Sequence, residues 1–150
     1  MSDLKERISD ATKSAMKARD KERVATLRMV NAEIKRIEVD ERRELSDDDV
    51  IAILNTMLKQ RQDSLQQYQD AQRQDLADQE AYEIEVISGF MPEPLSEAEL
   101  VAEIEACIQD AGAQGMQDMG RVMGALKAKV HGRADMGKVS GLVKAALQQL

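Results

Sequence analysis

Both prolines of this chain lie in one eight-residue stretch, SGFMPEPL at 88–95. Proline is the residue that a helix interior tolerates least, and the rest of the chain contains none. Each proline pushes the residue before it out of helical geometry, which makes this stretch a break between helices. On both sides of it, apolar residues recur at the spacing of amphipathic helices. We therefore predict an all-α protein with two helical subdomains, a four-helix part over residues 1–90 and a three-helix part over residues 91–150.

Helix starts in the N-terminal part are marked by side chains that accept hydrogen bonds from the first free backbone N–H groups. The candidate caps are Ser2 or Asp3, Asp20 and Ser46. Three aspartates follow Ser46 and favour the positive end of a helix dipole. The predicted helices run to about residue 19, from 21 to about 42, from 47 to about 71 and from 75 to 87.

The C-terminal part begins with a capping box, because Ser96 is followed three residues later by Glu99. Gly112 can end the helix that this box opens. Asp118 and Asp135 stand where the N-caps of two further short helices are expected. The apolar stripes of these two helices are Val122, Leu126 and Val130 in the first and Val139, Val143 and Leu147 in the second.

The core must be built almost without aromatic side chains, which make up only 2% of the sequence. Leu, Ile, Val, Ala and nine methionines remain, a set that suits helix-on-helix packing better than a sheet. A methionine-rich binding groove is the alternative, but the methionines are scattered along the chain, which favours gap-filling. The single cysteine, Cys107, lies beside Ile104 and Ile108 and is predicted to be a buried, unreactive thiol.

Six of the eight glycines lie between Gly115 and Gly141. Gly120, Gly124 and Ala128 are spaced four apart, so one face of their helix is almost bare backbone. We predict that another helix approaches this face closely, which would outweigh the roughly 1 kcal/mol that each glycine costs a helix. Gly132 falls in the turn between the last two helices, and a rigid helix–helix corner is expected there.

Charge is distributed unevenly around a net value of −7. Residues 44–114 carry 17 acidic and 3 basic side chains, whereas residues 115–150 carry 2 acidic and 6 basic ones. This pattern permits a local anion-binding site on a body that otherwise repels nucleic acid; an ordinary solvated surface is the alternative. The candidate RNA-binding residues are Arg121, Lys127, Lys129, Arg133 and Lys138.

Catalytic chemistry is not evident in the sequence. His131 is the only imidazole, which excludes a multi-histidine metal site. The segment from Gly120 to Lys127 reads GxxxGxxK, which differs in spacing from a phosphate-binding P-loop and follows no strand. We expect no cofactor, no metal, no small-molecule substrate and no enzymatic activity of the chain by itself. No apolar run approaches a membrane span and the N-terminus lacks a signal-peptide core, so a cytoplasmic location is expected.

Four segments of the chain carry a resemblance to a known family. LRMVNAEIK at 27–35, KQRQDSLQQYQDAQRQDLADQE at 59–80, MPEPLSEAEL at 91–100 and GRVMGALKAKVHGRADMGKVS at 120–140 resemble the YqeY family of small bacterial proteins. That family is similar to the C-terminal tail of the B subunit of the glutamine-dependent aminoacyl-tRNA amidotransferase. Within the family pattern, Ala128 stands where proline is usual and Arg121 where lysine is usual. The resemblance implies a two-part helical arrangement.

The resemblance also implies a function, since the amidotransferase tail is implicated in holding tRNA. The first hypothesis is a non-catalytic accessory module that contacts tRNA, through backbone and shape because stacking aromatics are scarce. The second is a protein-interaction module that docks a partner, for instance from the translation machinery, on its acidic middle helices or its glycine-lined face. The third is an auxiliary part of a carbon–nitrogen ligase that uses glutamine as amide donor.

Overall fold

The computed structural model describes residues 2–150, and the regular secondary structure in that range is all helical, with no strand in it. The predicted all-α class is therefore confirmed. The helices are α1 Asp3–Lys17, α2 Lys21–Glu41, α3 Asp47–Asp70, α4 Gln74–Ser88, α5 Glu97–Ala111, α6 Met119–Val130 and α7 Met136–Gln148, with a 3₁₀ turn at Met116–Asp118. Contacts divide the chain into two compact units, Met1–Met91 and Pro92–Leu150.

Most helices begin at the predicted caps. The Ser2 hydroxyl accepts a hydrogen bond from the backbone N–H of Lys5, and the Asp20 carboxylate accepts one from Arg23. Ser46 forms a complete capping box with Asp49. The start of α4 has no side-chain cap bond. Side chains within three positions of each of these three starts therefore determine where α1, α2 and α3 begin.

The core of the first unit lies between the α1–α2 hairpin and the α3–α4 hairpin. Its most deeply buried side chains are aliphatic: Ile8, Leu27, Val30, Val50, Leu54 and Ile87 are all 0% exposed. Phe90, just beyond the end of α4, is also buried in this core. The sequence prediction of a core with few aromatics is thus confirmed for this unit.

One ion pair lies close to this core and joins α3 to α4. Arg61 Nε donates to Glu83 Oε2 at 3.2 Å, and the two side chains are only 14% and 11% exposed. A second guanidinium nitrogen of Arg61 donates to the carbonyl of Met57 at 3.2 Å, and Gln79 Nε2 donates to the other Glu83 oxygen at 3.4 Å. These partners compensate two charges that would otherwise be costly to bury.

The second unit is a three-helix arrangement with its own core. The predicted capping box of Ser96 and Glu99 opens α5, and Gly112 ends it with φ 61°. Leu and Val side chains from α6 and α7 fill the centre, with Cys107 of α5 beside them at 2% exposed. The two predicted apolar stripes are all buried, with exposures of 0–2%. The burial of Cys107 is as predicted.

Candidate functional site

The turn between α6 and α7 is tied to the proline-containing segment of the same unit. The N–H of Leu95 donates to the carbonyl of Arg133 at 2.9 Å, and Arg133 Nε donates to the carbonyl of Glu93 at 3.1 Å. Gly132 adopts φ 73°, a left-handed conformation that favours glycine. Arg133 is half-buried, and its main role in this structure is to hold the turn. No local pattern in the sequence indicates this contact between Arg133 and Glu93, which are 40 positions apart.

The charge of Arg133 also reaches the start of α5. The pKa of Glu99 is held below its usual value, first by the hydrogen bond from the Ser96 hydroxyl and in smaller part by the positive charge of Arg133. The carboxylate of Glu99 therefore stays ionised over the whole physiological range. An anion that approaches Arg133 would meet this negative charge as well.

The two lysines near the end of α6 lie on different sides of the helix. Lys127 and Lys129 are two residues apart, which places them about 160° from each other around the helix axis. Lys129 shares a groove of about 380 Å³ between α5 and α6 with Arg121 and Asp110. Lys127 is on the opposite flank. The candidate RNA-binding residues of α6 are therefore spread over more than one surface of the helix.

Asp118 does not cap α6 as predicted. It occupies the N-cap position, but its carboxylate accepts from the backbone N–H of Gln114 at 2.8 Å and pairs with Arg121 at 2.9 Å. The 3₁₀ turn before α6 places this side chain towards the preceding loop, which accounts for the failed prediction. Arg121 is 59% exposed, but it has a carboxylate partner.

Asp135, by contrast, caps α7 as predicted, since its carboxylate accepts from the N–H of Gly137 at 3.3 Å. Lys138 follows in the first turn of α7 and is exposed. Lys127, Lys129 and Lys138 form no ion pair with a carboxylate in the described part of the chain. Among the five candidate RNA-binding residues, these three lysines are the ones whose charged groups are available to a partner.

The prediction that another helix packs closely on the glycine face of α6 is wrong for this chain. Gly120, Gly124 and Ala128 are exposed. A Cβ added at either glycine would have no atom within 4 Å apart from its own helix backbone and chain neighbours. We call this surface the bare strip of α6. Arg121 lies on one side of the bare strip and Lys127 on the other, each about 60° from its centre line.

Replacing Gly124 with alanine is expected to raise the free energy of unfolding by about 1 kcal/mol, because the added methyl group meets open space and reduces the flexibility of the unfolded chain. Urea unfolding measures the change. The matched control is Gly112→Ala at the end of α5, where φ is 61°, and a loss of about 1 kcal/mol is expected there. Destabilisation by Gly124→Ala would mean that something occupies the bare strip in solution.

Within residues 2–150, no three His, Cys, Asp or Glu side chains are grouped so that they could hold a metal ion. None of the described helices has the length and apolar character needed to cross a membrane.

Comparison with known proteins places the chain in a family. The family model described as Yqey-like protein matches residues 5–147. The chain is 24% identical over 128 residues to "Altered inheritance of mitochondria protein 41, mitochondrial" of Pyrenophora tritici-repentis, an alignment that covers 84% of this chain and 70% of the relative. It is 32% identical over 82 residues to an uncharacterised protein of Schizosaccharomyces pombe, covering 55% of this chain and 67% of that protein. Since the family model spans nearly the whole sequence, the chain belongs to the Yqey-like family.

Proposed function

We propose that this chain is a non-catalytic accessory module that contacts the sugar-phosphate backbone of folded RNA through α6 and the first turn of α7. Transfer RNA is the candidate, on the basis of the similarity between the family and the amidotransferase tail. The observation that carries the proposal is the bare strip of α6, which is exposed and has Lys127 along one side and Arg121, paired with Asp118, along the other.

A bare helix face suits a nucleic-acid backbone for a steric reason. With no side chain longer than that of Ala128 along the strip, a phosphate backbone can approach the helix while Lys127 reaches it from the side. Lys138 adds a second positive charge on α7. The strongly acidic segment 44–114 would repel RNA from much of the remaining surface, which would favour one docking orientation.

A protein-interaction module is the second candidate, and the same strip supports it. Small residues four apart allow another helix to approach closely, so a partner helix could lie where the sequence predicted a neighbour. The two candidates differ in their dependence on charge. Contacts to phosphates release counterions and weaken steeply with salt, whereas helix packing on an apolar strip responds much less.

The test is a titration of labelled, folded tRNA with the full-length protein over a range of salt concentrations. If Lys127, Lys129 and Lys138 neutralise about three phosphates, the log–log salt slope should be roughly −2 to −3, with micromolar affinity at physiological salt. Changing all three lysines to glutamate should abolish binding and leave the helical spectrum unchanged, because all three side chains are exposed. Arg133 is left intact because it holds the turn.

The control is a triple glutamate variant of Lys13, Lys17 and Lys35, three exposed lysines of the first unit without ion pairs. It lowers the net charge by the same amount, and we expect it to weaken binding only a few-fold through the overall field. Equal losses in the two triple variants would contradict a local site. If a protein partner instead bound with no dependence on salt, and equally tightly to the wild type and to the glutamate variant of Lys127, Lys129 and Lys138, that result would favour the protein-interaction module.

A further inference from the structure

The first unit contains a cleft of about 530 Å³ that the proposed RNA-contacting surface does not use. Its walls come from α1, from the start of α2 and from the last two turns of α4 with the residues that follow. The volume falls in the range of small-molecule sites, about 300–1,000 Å³. All of its lining residues belong to the unit Met1–Met91, so the cleft is a property of that unit alone.

Charges of both signs line this cleft without pairing with each other. Arg7 and Arg23 supply two guanidinium groups, and neither forms an ion pair in the described part of the chain. Glu85 supplies a carboxylate that is likewise in no ion pair. Asp20 is on the wall as well, with one carboxylate oxygen used to cap α2. The lining therefore contains two cationic and two anionic side chains around one open space.

The rest of the lining is apolar or aromatic. Two of the three aromatic residues of the chain, Tyr82 and Phe90, line the cleft, together with the buried Val86. Burial, and next the negative charge of Asp20, raises the pKa of Tyr82, so its hydroxyl stays protonated and can donate a hydrogen bond. A ligand here would meet an apolar floor with charged groups of both signs around it.

We propose that this cleft binds a small zwitterion, namely a free α-amino acid with an apolar side chain. The ligand carboxylate would lie on Arg7 and Arg23, whose planar, forked donors match carboxylate geometry. The ligand ammonium would lie on Glu85, and the side chain on Val86 and Phe90. This inference is independent of the proposed RNA contact, since it concerns the other unit.

Charge complementarity selects this class of ligand over a simple anion. A phosphate or dicarboxylate would gain from the two arginines but would be repelled by Glu85 and Asp20. A simple amine would be attracted by Glu85 and Asp20 but repelled by the two arginines. A zwitterion satisfies both sets at once, because each of its two charges then has a partner of opposite sign.

The test is a titration of the ¹⁵N-labelled full-length protein by NMR with three probes: L-leucine, N-acetyl-L-leucine and L-leucinamide. L-leucine should bind saturably and shift the amides of Tyr82 and Gly89. The other two probes lack the ammonium and the carboxylate respectively, and each should bind at least about tenfold more weakly, because each leaves a charged protein group without its partner. The absence of saturable leucine binding would overturn the proposal.

Variants of the protein test which side chains bind the carboxylate and the ammonium of the ligand. Arg23→Gln should weaken binding of L-leucine at least about tenfold but leave L-leucinamide unchanged. Glu85→Gln should weaken L-leucine by a similar factor but leave N-acetyl-L-leucine unchanged. Arg28→Gln is the matched control, an exposed arginine of α2 outside the cleft, and should change nothing. If N-acetyl-L-leucine bound as tightly as L-leucine, or if Arg28→Gln weakened binding as much as Arg23→Gln, the zwitterion site would be wrong.

Discussion

Replacing Glu83 with leucine is expected to lower the free energy of unfolding by about 3 to 5 kcal/mol, because Arg61 would lose its hydrogen-bonded carboxylate partner while its own charge stays mostly buried. The Arg61 side chain is only 14% exposed, so water can replace the Glu83 carboxylate only in part. The carbonyl of Met57 would still accept one hydrogen bond from Arg61, which keeps the loss towards the lower end of this range. Urea unfolding followed by circular dichroism measures it.

The double variant Arg61→Met with Glu83→Leu should recover most of this loss and lie within about 1 kcal/mol of the wild type, because replacing a whole buried pair with apolar side chains removes both desolvation costs. Arg73→Met with Asp75→Leu is the control, since those side chains are 57% and 66% exposed and their pair should contribute less than about 1 kcal/mol. If the double variant were as unstable as Glu83→Leu alone, the pair would not be the source of the effect.

The helix starts could be predicted from the sequence because each depends on a few adjacent residues. Ser46 with Asp49, and Ser96 with Glu99, form their hydrogen bonds within three positions, so the local pattern contains all the necessary information. The same holds for the apolar stripes of α6 and α7, which helical spacing defines. Asp118 is the exception, because a 3₁₀ turn that the sequence did not indicate places its carboxylate on Gln114.

Contacts between distant parts of the chain could not be predicted in this way. Arg61 and Glu83 are 22 residues apart and meet only because α3 and α4 pack in one particular register. Arg133 bonds to the carbonyl of Glu93, and no local pattern marks that partner. The positions of Lys127 and Lys129 on opposite flanks of α6 were available from helical spacing, so that part of the site could have been predicted correctly.

The bare strip of α6 shows a different limit of prediction from sequence. Small residues four apart indicate that a helix face can be approached closely, but they do not indicate what approaches it. In this chain nothing within the described residues covers Gly120 or Gly124. The glycines therefore cost α6 some stability without an intramolecular gain, which is consistent with a surface kept for an external partner.

Leu126→Ala is expected to destabilise the second unit by about 3 kcal/mol, through lost apolar burial and a cavity between α6 and its neighbours. Leu126 is 0% exposed and lies between Val122 and Val130 on the buried face of α6. A unit of this size has a small core, and few other side chains can move to fill the space. Amide hydrogen exchange measures the loss locally, with the slowest amides of α5, α6 and α7 expected to exchange about a hundredfold faster.

Two variants distinguish cavity formation from a general effect of changing a leucine. Leu150→Ala makes the same substitution at a residue that is 63% exposed, and it should change the exchange rates of α5, α6 and α7 by less than a factor of about two. Leu126→Met nearly conserves the volume and should cost less than about 1.5 kcal/mol. If Leu126→Ala cost no more than Leu126→Met, the centre of the second unit would be able to collapse around the missing atoms, and the close packing inferred from the zero exposure of Val122, Leu126 and Val130 would be wrong.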